Sequence, residues 1–349
     1  MVVMEKQIDT YGCWRSPVSS DLLVADVVSL GNIVIDEGIV YWIESRPSEA
    51  GRSVVVNSKG DVTPPEYSPL SRVHEYGGGA YTVHAGTVYF VNLSDQGIYQ
   101  QPAGGSPQHL CVHDGLRFAD LCIDASRQRL IAICEDHNHE KEPVNSLVAI
   151  DLADGRLSTL TQGADFYSSP TLSADDRHIA WLSWDHPNMP WDGTRLWLAE
   201  IGEGGFFGGD SDEIRCIAGS DDESVFQPQW GPDGALYFIS DSSGWWNLYR
   251  YQANITDNSD IAESGVEPLC PMAAEFGLPQ WVFAMSTYAF DASGHIICAY
   301  RTEAGWHLGR LNLNKRALDY FELPYSEIGG IRSDGQQVVF HAGSANQAD

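Results

Sequence analysis

The chain has 349 residues, 43% of them hydrophobic and 11% aromatic, a composition that excludes a disordered protein. It carries 20 Lys and Arg against 48 Asp and Glu, a formal charge of −28. That charge excludes nucleic acid and anionic membrane surfaces as partners, since both need a basic face. Its ordinary consequence is solubility, and its second is attraction of cationic substrates.

In chain order, residues 1–29 read as an N-terminal extension and 30–349 as one repeating all-β unit. Helical periodicity is nearly absent, and short apolar runs alternate with Gly, Asp, Ser and Pro. Seven cores line up as the second strand of a repeat. They are IVYWIES (39–45), TVYFVNL (87–93), RLIAICED (129–136), HIAWLSW (178–184), ALYFISD (235–241), HIICAYR (295–301) and QVVFHAG (337–343). Successive starts lie 42 to 60 residues apart, close to the ~40–50 of a four-stranded propeller blade with room for loop insertions. The turns before them (DEG, HAG, DASRQ, SADD, GPDG, DASG, SDG) suit hairpins, because Asp and Gly tolerate or bridge tight backbone conformations. The expected fold is a seven-bladed β-propeller. The seventh unit stops after its second strand, so that blade is expected to be incomplete, completed by the N-terminal residues or left half-built by truncation.

The seven cysteines are odd in number, form no CxxC pair and lie partly in apolar runs, which reads as buried reduced thiols. No stretch approaches the ~18 apolar residues of a membrane span, and the first residues have no signal-peptide core, so the cytoplasm is the expected compartment.

Five segments go beyond a generic propeller: YGCWRSPVSS (11–20), RVHEYGGGAY (72–81), DHPNMPWDGTRLW (185–197), the run 223–250 containing WGPDGALYFISDSSGWWNLYR, and AEFGLPQWVFAMSTYAF (274–290). Together they resemble the N-terminal propeller of the prolyl oligopeptidase (S9) family of serine peptidases, in its acylaminoacyl-peptidase or dipeptidyl-aminopeptidase-like branch. The resemblance implies a propeller that caps a following α/β-hydrolase domain bearing Ser, Asp and His. No GxSxG nucleophile elbow occurs in the chain, so no catalytic residue is expected here and the chain alone is expected to be inactive. The implied role is to gate and select short peptides and to supply part of their pocket. The implied partners are peptide substrates and the hydrolase domain, with self-association left open. A free-standing TolB-like scaffold is the alternative; a metal-dependent propeller lactonase is a weaker one, for want of a converging ligand set.

Two clusters are candidate substrate-binding residues. His74, Glu75 and Tyr76 precede three glycines that permit close backbone approach. Glu75 is the candidate for a peptide's α-amino group, by analogy of role; the competing reading is backbone packing near the axis. Asp185, Asn188, Trp191 and Asp192 lie on a Pro- and Trp-containing insertion that either faces substrate or packs between blades. The run Glu135, Asp136, His137, His139, Glu140, Glu142 matches no metal motif and reads as a solvated charged loop. No metal or cofactor is expected.

Overall fold

The computed structural model describes residues 9–14, 16, 18–19, 28–202, 204–207, 214–252 and 265–344. Most of the expected N-terminal extension, including residues 15, 17 and 20 of the 11–20 segment, lies outside the described residues.

Six antiparallel four-stranded sheets follow one another over residues 29–61, 81–111, 116–162, 166–219, 225–268 and 288–321, here blades I to VI. Each pairs its strands in sequence order. The only helical turn among the described residues is Pro47–Glu49. This is an all-β propeller. The hairpin expectation holds at HAG: Ala85 (φ 48°) and Gly86 (φ 73°) both take the left-handed conformation that matches the twist of the flanking strands.

The blade count differs from the sequence reading. There are six blades, not seven, and the expected incomplete seventh blade is not confirmed. The seventh core does form a second strand, but Glu327–Ser333 and Val338–Gly343 make a two-stranded sheet, and no third strand pairs with it among the described residues. This pair stands between blades I and VI, packing against both.

Sequence patterning explains the packing. Second strands such as Arg129–Asp136 and His178–Trp184 are buried almost throughout, because both faces of each blade are covered by neighbours. The outermost strand Ala317–Phe321 is mostly exposed. One apolar cluster fills each interface: Phe90 and Tyr41 between I and II, Phe118 and Tyr89 between II and III, Ile133 and Trp181 between III and IV. Phe238 and Leu182 fill IV and V, Tyr237 and Tyr288 V and VI, and Ile297 and Ile328 VI and the strand pair. The remaining seam, between the pair and blade I, holds instead a groove of about 440 Å³ edged by Leu30, Val40, Trp42, Tyr325 and Phe340.

The first strands of all seven sheets line one axial channel. Most break their ladder there: register shifts follow Gly31, Ser168, Phe226 and Gly329, and accompany Ala119 to Cys122. Asn32, Asp120, Ser169 and Gln227 sit at these breaks with φ of 47° to 56°. A bulge leaves its extra residue unpaired and re-aims it; here it turns polar side chains toward the axis.

All seven cysteines are free thiols. Burial pushes Cys134 up to about 12 and Cys111 to about 11, so neither supplies a thiolate. No helix among the described residues is long and apolar enough to cross a membrane.

Candidate functional site

The HEYGGG run packs against blades III and IV and the segment around Phe283, and joins two sites. His74 and Glu75 take φ of 54° and 65°. The Gly77 carbonyl accepts the Phe283 N–H at 2.9 Å, and the Gly79 carbonyl accepts the Asp120 N–H at 2.9 Å. A Cβ on Gly77 would lie 2.1 Å from the Ser71 carbonyl oxygen, so only glycine fits. The packing read for these glycines is therefore present, and it positions side chains at both ends of the run.

At one end is a rim cavity of about 180 Å³. Three separated segments, 74–77, 184–191 and 280–283, close it together with Phe166. Its walls are rings. His74 meets Phe166 at 4.9 Å, Trp184 at 5.6 Å and Phe283 at 4.9 Å between centroids. Trp191 lies 4.4 Å from Trp281, which also meets Tyr76 at 5.6 Å. Burial depresses the His74 imidazole to about 4, so it is neutral at pH 7. The mouth is apolar and open: Tyr76 is 62% exposed and Trp281 50%, with Met189 and Val282 beside them.

Of the seven sequence candidates, His74, Tyr76, Asn188 and Trp191 line this cavity. The other three do not. Glu75 points outward and pairs with Arg117 at 2.7 Å, which holds its carboxyl below the usual range. Asp185 accepts the Asp165 N–H at 2.8 Å, and Asp192 accepts the Met189 N–H at 2.9 Å. Both carboxylates therefore fix the shape of the insertion. Asn188 is held in turn by donating to the Asp221 carbonyl at 2.7 Å. In the charged run, Glu135 accepts the His74 N–H at 3.1 Å and meets the His137 Nε2 at 2.8 Å, so its inner end braces the rim.

The sequence reading missed Phe166, Trp184, Trp281 and Phe283. Trp281 and Phe283 stand within the 274–290 segment, but nothing local distinguishes their rings from core.

At the other end is the axial channel, with a cavity of about 290 Å³. Asp120 projects into it, its carboxyl raised to about 6 by burial, against the Ser169 N–H (2.6 Å) and the Arg332 charge. The Arg332 guanidinium is deep in the same channel and lowered by burial. Its Nη2 donates to the Ala284 carbonyl at 2.7 Å. Aligning the first strands of the repeats would have singled out both positions.

A propeller with an aromatic rim cavity and a charged axis can be compared with known structures. Puromycin hydrolase matches 96% of this chain with a TM-score of 0.84 and 29% identity. A puromycin-hydrolyzing peptidase from Mycobacterium tuberculosis matches 98% at 0.83 and 30%. The chain spans about half the length of each, 53% and 54%. These neighbours fit the propeller of an S9-type peptidase; they do not distinguish its branches. Prolyl oligopeptidase B from Galerina marginata, at 10% identity and 0.59, shares the fold. No protein-family model and no curated protein matches the chain.

Proposed function

We propose that this chain is the non-catalytic propeller of a serine exopeptidase or oligopeptidase, and that its rim cavity forms part of the peptide-binding site. The observation that carries this reading is the cavity's origin. Most of its walls come from the three segments 72–81, 185–197 and 274–290, whose sequences resemble the peptidase propeller and which converge from three different parts of the ring, with Phe166 and Trp184 completing the wall. In this reading the open apolar mouth at Tyr76, Met189, Trp281 and Val282 is where a hydrolase domain docks, since monomers rarely leave such a patch uncovered. A free-standing scaffold gives no reason for that patch. The neutral His74 and the surrounding rings favour an apolar peptide side chain. His74, Tyr76, Asn188 and Trp191 contact substrate, while Glu75, Asp185 and Asp192 shape the rim.

The two-stranded sheet is read as the inner half of a seventh blade. Its first strand lines the axis as the other six do. Selection of short peptides then follows from a ring whose channel is too narrow for a folded chain.

The test is hydrolysis of aminoacyl and acyl-aminoacyl chromogenic substrates by the 349-residue chain, alone and joined to the hydrolase domain of a puromycin hydrolase. The expected result is no turnover alone, turnover when joined, and a raised KM on Trp281→Ala. Turnover by the chain alone, blocked by a serine-directed phosphonate, would overturn the proposal.

A further inference from the structure

We propose that the axial channel is a binding site for a small zwitterion of amino-acid or dipeptide size, with Asp120 receiving the ammonium group and Arg332 the carboxylate. The cavity of about 290 Å³ holds roughly ten waters, at the small end of ligand pockets.

Two opposite charges face this one space from different sheets, Asp120 from blade III and Arg332 from the two-stranded sheet. No salt bridge joins them among the described residues, although each sits deep enough to feel the other's charge. Burying opposite charges without contact is costly unless something between them completes the pairing. Each is anchored on one side only. Asp120 uses Oδ2 for the Ser169 N–H, leaving Oδ1 open to the channel. Arg332 donates from Nη2 to Ala284 and from Nη1 to the Ile331 carbonyl at 3.3 Å, leaving further N–H groups of its five.

Two uncharged neighbours are already committed. The Tyr81 hydroxyl donates to the Asn32 carbonyl at 2.5 Å. The Gln227 amide donates to the Tyr288 carbonyl at 2.8 Å and accepts the Thr287 N–H at 2.7 Å. Asn32, Thr82, Thr171 and Gln229 add neutral polar groups to the lining, and the charged capacity lies at Asp120 and Arg332. A simple anion in the channel would meet Asp120, and a simple cation would meet Arg332. A molecule bearing both charges satisfies both walls, which is discrimination by repulsion as well as attraction. The site is separate from the rim cavity and does not depend on a hydrolase domain.

The probe is dialanine, with N-acetyl-dialanine and dialanine amide as singly charged controls, measured by calorimetry and thermal melting on the 349-residue chain at pH 7.5. Dialanine should bind saturably and raise Tm, and each blocked form should bind at least tenfold more weakly. Asp120→Asn and Arg332→Gln should each lose dialanine binding at least tenfold, while Tyr320→Ala on the exposed outermost strand leaves it unchanged. The blocked forms keep the test decisive if a variant fails to fold. Absence of saturable binding, equal binding of blocked and free forms, or loss of binding on Tyr320→Ala would overturn the assignment.

Discussion

The rim cavity and the axial channel flank one short run, 74–79, yet burial acts on them with opposite sign. At the rim, rings surround His74 and burial drives the imidazole to about 4. In the channel, burial raises Asp120 to about 6. The cause is shared, since removal from water penalises whichever form is charged. What differs is the compensation. Asp120 keeps a backbone N–H and a nearby guanidinium, and His74 has aromatic faces with only a weaker contribution from Asn145. One region is built to exclude charge and the other to hold it.

The largest expected effect breaks both regions together. Gly77→Val forces a Cβ against the Ser71 carbonyl at a left-handed φ, and should cost roughly 3 kcal/mol or more in urea unfolding, or prevent folding. A loss below about 1 kcal/mol would show that the run is not pinned.

The next effect separates the regions by pH. His74 has a depressed folded value, so its stability contribution is present above 6.5 and is lost as pH falls toward 4. Its size is about 3 kcal/mol for the cited shift. Asp120 has a raised value, so its contribution is present below 3.8 and is lost as pH rises through about 6. That term is slightly smaller for the cited shift. Arg332 and Cys122 are the titratable groups that feel the Asp120 charge, and Tyr81 feels Arg332. Between pH 4 and 6 the two terms oppose. His74→Leu should make stability fall with pH there, and Asp120→Asn should steepen its rise. Identical profiles for both variants would refute the contrast.

A smaller effect sharpens the rim alone. Trp191→Ala removes the ring contact with Trp281 and should cost about 1–2 kcal/mol without altering the pH profile. The smallest is Glu75→Gln. Its pair with Arg117 is solvent-exposed on the Glu75 side, so denaturant unfolding should shift by no more than about 0.5 kcal/mol.

Much of the fold was readable in advance. Each of the seven aligned cores is the second strand of its sheet, because an apolar run between Asp- and Gly-containing turns is a local signal. The blade count was not readable, since an outer strand exists only if a segment pairs with Val338–Gly343. The site was half readable. His74, Tyr76, Asn188 and Trp191 stood out in unusual local sequences and do line the cavity. Glu75 stood out equally, yet the left-handed backbone at 74 and 75 turns it outward to Arg117. Trp184 and Trp281 were invisible as site residues, because a ring in an apolar strand looks the same whether it faces core or cavity.

The sequence by itself determined the strand repeat, the acidic surface, the lack of a nucleophile elbow and the resemblance to a peptidase propeller. These depend on neighbours along the chain or on counts. The tertiary structure alone decided that 74–77, 184–191 and 280–283 meet in one pocket. It also brought Asp120 and Arg332 to the same channel, and left the seam beside Trp42 unfilled. Those facts depend on closing a ring whose contacts join residues up to 300 positions apart, such as Gln337 donating to the Gly38 carbonyl. No local pattern encodes which turn of the ring a side chain will face.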